Sequence, residues 1–280
     1  MSESVEAIFR TVAEMASDVR GVLGKRRSYM DEENPTGDRQ LAADVYADEL
    51  LEERLLALDA VSSYASEERD GVVDDTGRYH IVCDPLDGSS NLQSNNSMGT
   101  IVGVYSSRPP ATGEELVAAS YVLYGPILTM VTAHDGTVTE YLIENRSRTE
   151  LTADLEIPED PTVYGFGGRA PDWTDKFSSY VASIEDDRLK LRYSGAMVGD
   201  VTQVLIYGGI FGYPMLVDAP EGKLRLQFEG QPIAYIVESA GGASSDGTQS
   251  LLETRPEQVH DRSPLFVGNE DLIAELEASL

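Results

Sequence analysis

Apolar residues at Val5, Ile8, Phe9, Val12, Met15, Ala16 and Val19 recur at steps of three and four, which predicts an amphipathic helix over residues 4–23. A polar connection over 24–34 and a turn at Asn34-Pro35-Thr36-Gly37-Asp38 lead into a second helix predicted over 41–58. Tyr79-His80-Ile81-Val82-Cys83 reads as a short buried strand ending at Asp84-Pro85. Residues 101–105, 117–123, 127–133 and 137–143 read as strands, with Asp135-Gly136 as a hairpin turn. Beyond a loop around 157–161, the pattern gives a strand at 163–166, a helix at 173–184, a strand at 189–193 and a helix at 197–207. A helix over 232–240 stops at Gly241-Gly242, short strands follow at 250–253 and 265–267, and Asn269 is placed to cap a last helix from Glu270. This is an α/β pattern with a long antiparallel stretch in its middle. The loop divides it into an amino-terminal half, 1–160, and a carboxyl-terminal half, 161–280.

Composition narrows the setting. Against 21 Lys+Arg stand 49 Asp+Glu, a formal charge of −28, so phosphate backbones and anionic lipid surfaces are poor partners. The same charge is compatible with disorder, but 41% hydrophobic residues argue for a buried core. Only Lys25, Lys176, Lys190 and Lys223 are lysines. Acid excess with scarce lysine predicts adaptation to high intracellular salt, where mobile cations screen the carboxylates; an ordinary acidic protein would instead be fully folded and active at low salt. The single Cys83 excludes an intramolecular disulfide framework or a cysteine zinc cluster, and its apolar strand makes it a core residue. No apolar run reaches the roughly 18 residues of a spanning helix, and the start lacks a basic leader, which predicts a cytoplasmic protein.

The segment that can carry chemistry is Asp84-Pro85-Leu86-Asp87-Gly88-Ser89-Ser90-Asn91. A strand delivers two carboxylates at its carboxyl end, and a glycine-serine turn then offers amides and hydroxyls. Carboxylates suit hard cations and the turn suits an anion. Taken singly these are ordinary turn residues; the ordered set is specific. Competing motifs are weak. Gly165-Phe166-Gly167-Gly168-Arg169-Ala170 fits a dinucleotide-type G-x-G-x-x-A, but Pro171 sits badly with a helix opening there, so a nicotinamide-dependent oxidoreductase is not expected. His80, His134 and His260 lack metal spacing, and no G-x-S-x-G elbow occurs.

Residues 84–91 resemble the metal and phosphate motif of class I fructose-1,6-bisphosphatases, within the superfamily that includes the inositol monophosphatases. Asn34-Pro35-Thr36-Gly37-Asp38-Arg39-Gln40 with Asp44-Val45, Ser66-Glu67-Glu68, and the Gly222-to-Glu229 stretch with Pro232 and Glu238-Ser239-Ala240-Gly241-Gly242 resemble family elements in the same order. Leu86, Ser89 and Phe228-Glu229 favour the bisphosphatase branch over the inositol branch.

The resemblance implies a layered α/β/α/β/α sandwich and magnesium-dependent hydrolysis of the 1-phosphate of fructose 1,6-bisphosphate, a gluconeogenic step. Two or three Mg2+ ions, with Mn2+ able to substitute, would be held by Glu67, Asp84, Asp87, Glu229 and the Leu86 carbonyl. Asp44 and Glu68 would prepare the attacking water. Gly88, Ser89, Ser90 and Asn91 would meet the reacting phosphate. Arg192, Tyr193, Gly195, Met197, Tyr213 and Lys223 would hold the sugar phosphate, with Arg192 reaching a neighbouring subunit's site in a homodimer or homotetramer. Sedoheptulose-bisphosphatase or inositol-monophosphatase activity, and a catalytically silent metal- and phosphosugar-sensing protein, are the alternatives. Where the family carries an Asn-Glu-Gly stretch, this chain has Phe166-Gly167-Gly168-Arg169, so a phosphate contact is missing or is supplied by Arg169. The family's amino-terminal nucleotide-binding loop is also lacking, and Arg78-Tyr79 only roughly keeps that site's Lys-Tyr pair; weak or no AMP inhibition is expected.

Overall fold

The computed structural model describes residues 2–35, 37, 39–186 and 189–280. Among these, six α-helices form: α1 (Glu3–Val22), α2 (Ala42–Leu56), α3 (Asp175–Asp186), α4 (Met197–Tyr207), α5 (Gln231–Ser239) and α6 (Glu270–Ser279). An eight-stranded sheet runs Ser147–Thr152, Thr137–Glu144, Leu128–His134, Leu116–Tyr124, Met98–Tyr105, Tyr79–Asp87, Val61–Ser66, Val72–Asp74 across its width. Its neighbours are antiparallel except for Val61–Ser66 against Tyr79–Asp87, which are parallel. A five-stranded sheet runs Lys190–Leu191, Val163–Phe166, Gly209–Tyr213, Leu265–Gly268, Ala243–Ser245.

Three apolar layers hold these parts together. The stripe predicted on α1 (Val5, Ile8, Phe9, Val12, Met15, Ala16, Val19) packs with α2 on one face of the large sheet. Side chains alternate across that sheet: Val102 and Val104 face α1 and α2, whereas Ile101 and Tyr121 face α4 and α5. The small sheet closes the second layer with Phe211 and Val267, and its far face carries Phe166, Ile210 and Phe266 against α3 and α6. The order is therefore α/β/α/β/α. Both sheets are covered on both faces, which is why their central strands read as near-continuous apolar runs.

Several expectations need correction. The connection over 24–34 contains the strand Tyr29–Glu33, paired with Arg39–Leu41. The strand expected at 189–193 is only Lys190–Leu191, and in place of the strand expected at 250–253, residues 251–253 form a turn. There Ser250 and Ser244 hydroxyls both donate to Glu238, so local side-chain bonds replace a ladder. Asn269 occupies the cap position of α6, but its side chain accepts from Gly209 N–H at 2.6 Å and donates to Pro158 C=O, tying strand to loop. The glycines at 165–168 open no helix; a short 3-10 turn over Ala170–Asp172 precedes α3. No helix among the described residues is long and apolar enough to cross a membrane.

Candidate active site

The carboxyl ends of the parallel strands Val61–Ser66 and Tyr79–Asp87 open onto one cleft. Glu67 follows the first directly, its N–H donating to Cys83 C=O at 3.2 Å, which sets it beside Asp84. Residues three apart on a regular strand face opposite sides. Here Asp84 pairs with Ile101 and Asp87 with Gly99, so one extra residue bulges out. That bulge turns both carboxylates toward the same cleft. Asp84 Oδ1 accepts Leu86 N–H at 2.9 Å, which shapes the bulge.

Two further segments come from the other half. The turn Leu226–Gly230 is a π-helical loop preceding α5, and Glu229 Oε2 accepts Arg225 N–H at 2.6 Å across it. Such widened turns occur where a side chain must leave the regular helical direction. Asp87 meets the amino end of α4, accepting Met197 N–H at 3.2 Å and Val198 N–H at 2.8 Å. These donors are unused within the helix, and its dipole favours the negative charge.

Glu67, Asp84 and Glu229 are buried, and each offers an oxygen within 4.8 Å of the others. Burial is the first cause of their altered acidity. It pushes Glu67 up to about 8, with Glu229 adding to the shift and Arg225 opposing it. Glu229 is pushed up to about 7 against the pull of Arg225, and Asp84 well above its usual range by burial and the neighbouring carboxylates. Glu67 Oε2 has no hydrogen-bond partner among the described residues. Three dry carboxylates this close repel one another, and divalent cations are the natural complement. Burial raises Asp87 to about 6; each of its oxygens accepts one α4 amide, which leaves acceptor capacity on a residue that also lines the cleft.

Glu68 lines the cleft, and its Oε2 accepts Gln40 Nε2 at 2.5 Å. Burial and the Glu67 charge push it up to about 7. Asp44 is buried behind the cleft at the start of α2, where Oδ2 accepts Leu41 N–H at 2.6 Å. Burial and the Glu68 charge raise it to about 7, offset by the Leu41 amide and the Ser89 side chain. Asp38 lies outside the described residues.

The cleft encloses about 710 Å3, and Leu86, Gly88, Ser89, Ser90, Gly195, Met197, Tyr213 and Lys223 all line it. Gly88 has φ +69°, and a Cβ there would stand 2.3 Å from Ala196 Cβ. Three expected residues lie elsewhere. Asn91 is a brace, its Nδ2 donating to Ser97 C=O and Ser194 C=O, both at 2.9 Å. Arg192 and Tyr193 line an adjacent cavity of about 660 Å3 with Asp200 and Gln203. Tyr193 still reaches the cleft wall, because its hydroxyl bonds that of Tyr213 at 2.5 Å. Arg169 lines neither.

Sequence reasoning missed Tyr29, Arg225 and Arg262, which also line the cleft. Arg225 carried a legible signal, since it precedes Glu229 by four residues. Arg262 had none, because it arrives through the short pairing of Arg262–Ser263 with Leu224–Arg225.

The family models described as "Fructose-1-6-bisphosphatase, N-terminal domain" and "Fructose-1-6-bisphosphatase, C-terminal domain" match residues 2–151 and 157–280. A curated relative, "Fructose-1,6-bisphosphatase class 1" of Natronomonas pharaonis, is 63% identical and is covered completely, as is this chain. The protein of the same description from Halobacterium salinarum is 56% identical over all of this chain and 98% of its own. Among solved structures, fructose-1,6-bisphosphatase of Leishmania major in holo form aligns with a TM-score of 0.93 at 27% identity, over 99% of this chain and 94% of its own.

Proposed function

The chain belongs to the fructose-1,6-bisphosphatase family, and on that footing we propose that it hydrolyses the 1-phosphate of fructose 1,6-bisphosphate with the help of Mg2+. The observation that carries the reading is the buried convergence of Glu67, Asp84 and Glu229 in the lining of a cleft of about 710 Å3. Their donor set fits divalent cations: three acidic side chains, one of which has an oxygen with no hydrogen-bond partner among the described residues, in a region that burial makes costly for bare charge. These three, with Asp87 and the Leu86 carbonyl, would hold the metal. Mg2+ held by these residues would neutralise the phosphate dianion and acidify water, which would let an anionic protein take an anionic substrate.

The protein's own groups do the rest. Glu68 Oε1 or Oε2, backed by Asp44, accepts a proton from the attacking water; acidities near 7 suit that task. The Gly88–Ser90 turn receives the reacting phosphate on its amides and hydroxyls. Lys223 and Tyr213 orient the sugar and its distal phosphate, and Gly195 and Met197 shape the wall against which it lies.

The functional division falls near residue 160, with the metal and phosphate motif before it and the sugar side after it. We take the working form to be a homodimer or homotetramer: Leu191, Tyr193, Ile206 and Tyr207 leave apolar surface beside the Arg192 cavity. The acidic composition and the Natronomonas and Halobacterium relatives support a cytoplasm of high salt as its setting.

A broader sugar-bisphosphate range is the second reading, because Phe166 packs edge-on to Phe177, 5.0 Å between centroids, and gives the cleft no polar group. Phosphate release in molar KCl, with and without Mg2+, from fructose 1,6-bisphosphate, sedoheptulose 1,7-bisphosphate and inositol monophosphate tests both. Magnesium-dependent turnover fastest on the first supports the main reading. A preference for inositol monophosphate, or turnover unchanged in Asp84→Asn, would overturn it.

A further inference from the structure

Asp200 lies in the first turn of α4, three per cent exposed, yet neither metal nor phosphate geometry calls for it. Its Oδ1 accepts Ser194 N–H at 2.7 Å, and its Oδ2 is buried without a hydrogen bond among the described residues. Burial pushes its pKa up to about 6 against the pull of Ser194 and the Gly195 amide. A carboxylate kept there at such a cost is under structural demand.

The demand is visible one residue on either side of Ser194. Ser194 C=O accepts Asn91 Nδ2 and Asn96 Nδ2, both at 2.9 Å, and its hydroxyl donates to Ala196 C=O. Gly195 turns with φ +83°, so tightly that a Cβ would sit 3.1 Å from Asn91 Oδ1. Tyr193, before it, carries the hydroxyl bonded to Tyr213. The loop Tyr193-Ser194-Gly195 thus joins the phosphate turn to the tyrosine wall, and its central N–H is held from below by α4. The two acids divide the helix start: Asp87 takes its first amides, and Asp200 reaches back to the loop before it.

We propose that Asp200 is a positioning residue for the sugar side of the cleft, fixing Gly195 and the Tyr193–Tyr213 pair through Ser194. This rests on the sugar-bisphosphatase reading above. It predicts a loss in substrate binding with the metal site intact.

In Asp200→Ala, KM for fructose 1,6-bisphosphate should rise about two- to tenfold, the worth of one lost hydrogen bond, with kcat and the Mg2+ half-saturation unmoved. Asp200→Asn keeps an oxygen for Ser194 N–H and should lie between. An unchanged KM in folded Asp200→Ala would overturn the proposal. So would a KM and Mg2+ requirement rising together, which would place its action at Asp87. If Asp200→Ala does not fold, an unchanged KM in Asp200→Asn overturns it equally. Wild-type chain releasing no phosphate from this substrate would sink the parent reading and the proposal together; active wild type with unmoved KM sinks the proposal alone.

Discussion

Arg225 Nη2 stands 3.5 Å from Glu67 Oε1, a buried contact between the two halves of the molecule, while the backbone N–H of the same arginine is held by Glu229. One cation therefore holds down the pKa of two cluster carboxylates against the rise that burial imposes. Arg225→Met removes that restraint, and both carboxyls become harder to ionise. Activity at pH 7 should fall about tenfold, the effect of one unit of acidity, and recover in part toward pH 9. A pH profile of magnesium-dependent phosphate release checks this; an unshifted profile in the folded variant would count against the contact.

The cluster also ties stability to pH. Carboxyls raised on folding bind protons more tightly in the native state than in the unfolded chain. Their contribution is complete below the ordinary carboxylate range and is lost as pH rises through the native values. Those values are about 6 for Asp87, about 7 for Glu229, Glu68 and Asp44, and about 8 for Glu67. In EDTA and molar KCl, the melting temperature should fall between pH 5 and pH 8. Added Mg2+ should restore most at the alkaline end, because it binds the ionised form. Asp84→Asn should flatten the fall. A melting temperature that rises with pH in EDTA would show that these groups do not set the slope.

What the sequence made legible follows from where its signals are local. The apolar stripe of α1, the strand Val163–Phe166 and the helix Met197–Tyr207 rest on side-chain periodicity, and they appear as expected. Val61–Ser66 escaped because serines fill Ser62, Ser63 and Ser66 of a strand whose burial comes from neighbours on both sides. Gly209–Tyr213 escaped because its glycines are needed for close packing: a Cβ at Gly209 would stand 1.8 Å from Val163 C=O. In the site, the eight-residue motif placed Asp84 and Asp87 together, but the bulge that makes them neighbours is a pairing property of two strands. Asn91 and Asn269 show the same limit. The family resemblance implied a phosphate contact for Asn91 and residue type suggested a helix cap for Asn269, and long-range backbone groups took their side chains instead.

Gly88 separates backbone strain from crowding. It has φ +69°, and a Cβ there would meet Ala196 Cβ at 2.3 Å and Cα at 2.9 Å. Gly136, in the hairpin turn, has φ +73° with nothing within 4 Å. Gly136→Ala should cost about 1–2 kcal/mol from the left-handed backbone alone and leave turnover intact. Gly88→Ala carries that cost plus about 1–3 kcal/mol for displacing Ala196, and moves the phosphate turn off the start of α4. Its activity should drop at least about tenfold. Denaturant melts of the two variants decide the matter: equal losses would mean that the Gly88–Ala196 approach does not constrain the turn.

Charge screening gives the last prediction. With 49 acids against 21 bases, repulsion between exposed carboxylates outweighs isolated surface pairs such as Arg108–Asp74, in which each side chain is at least half exposed. The screening length shrinks from about 10 Å at 0.1 M salt to about 3 Å at 1 M, so repulsion between neighbouring surface acids fades over that range. Buried contacts such as Glu67–Arg225 are screened far less. The melting temperature should therefore climb steeply with KCl up to about 1 M and more slowly beyond it, where direct ion binding and exclusion remain. Sucrose at matched osmolality should not reproduce the steep portion, since it adds no screening ions. A melting curve indifferent to KCl would mean that the excess acids are spaced too far apart to matter, and the salt-adapted reading of the surface would fall with it.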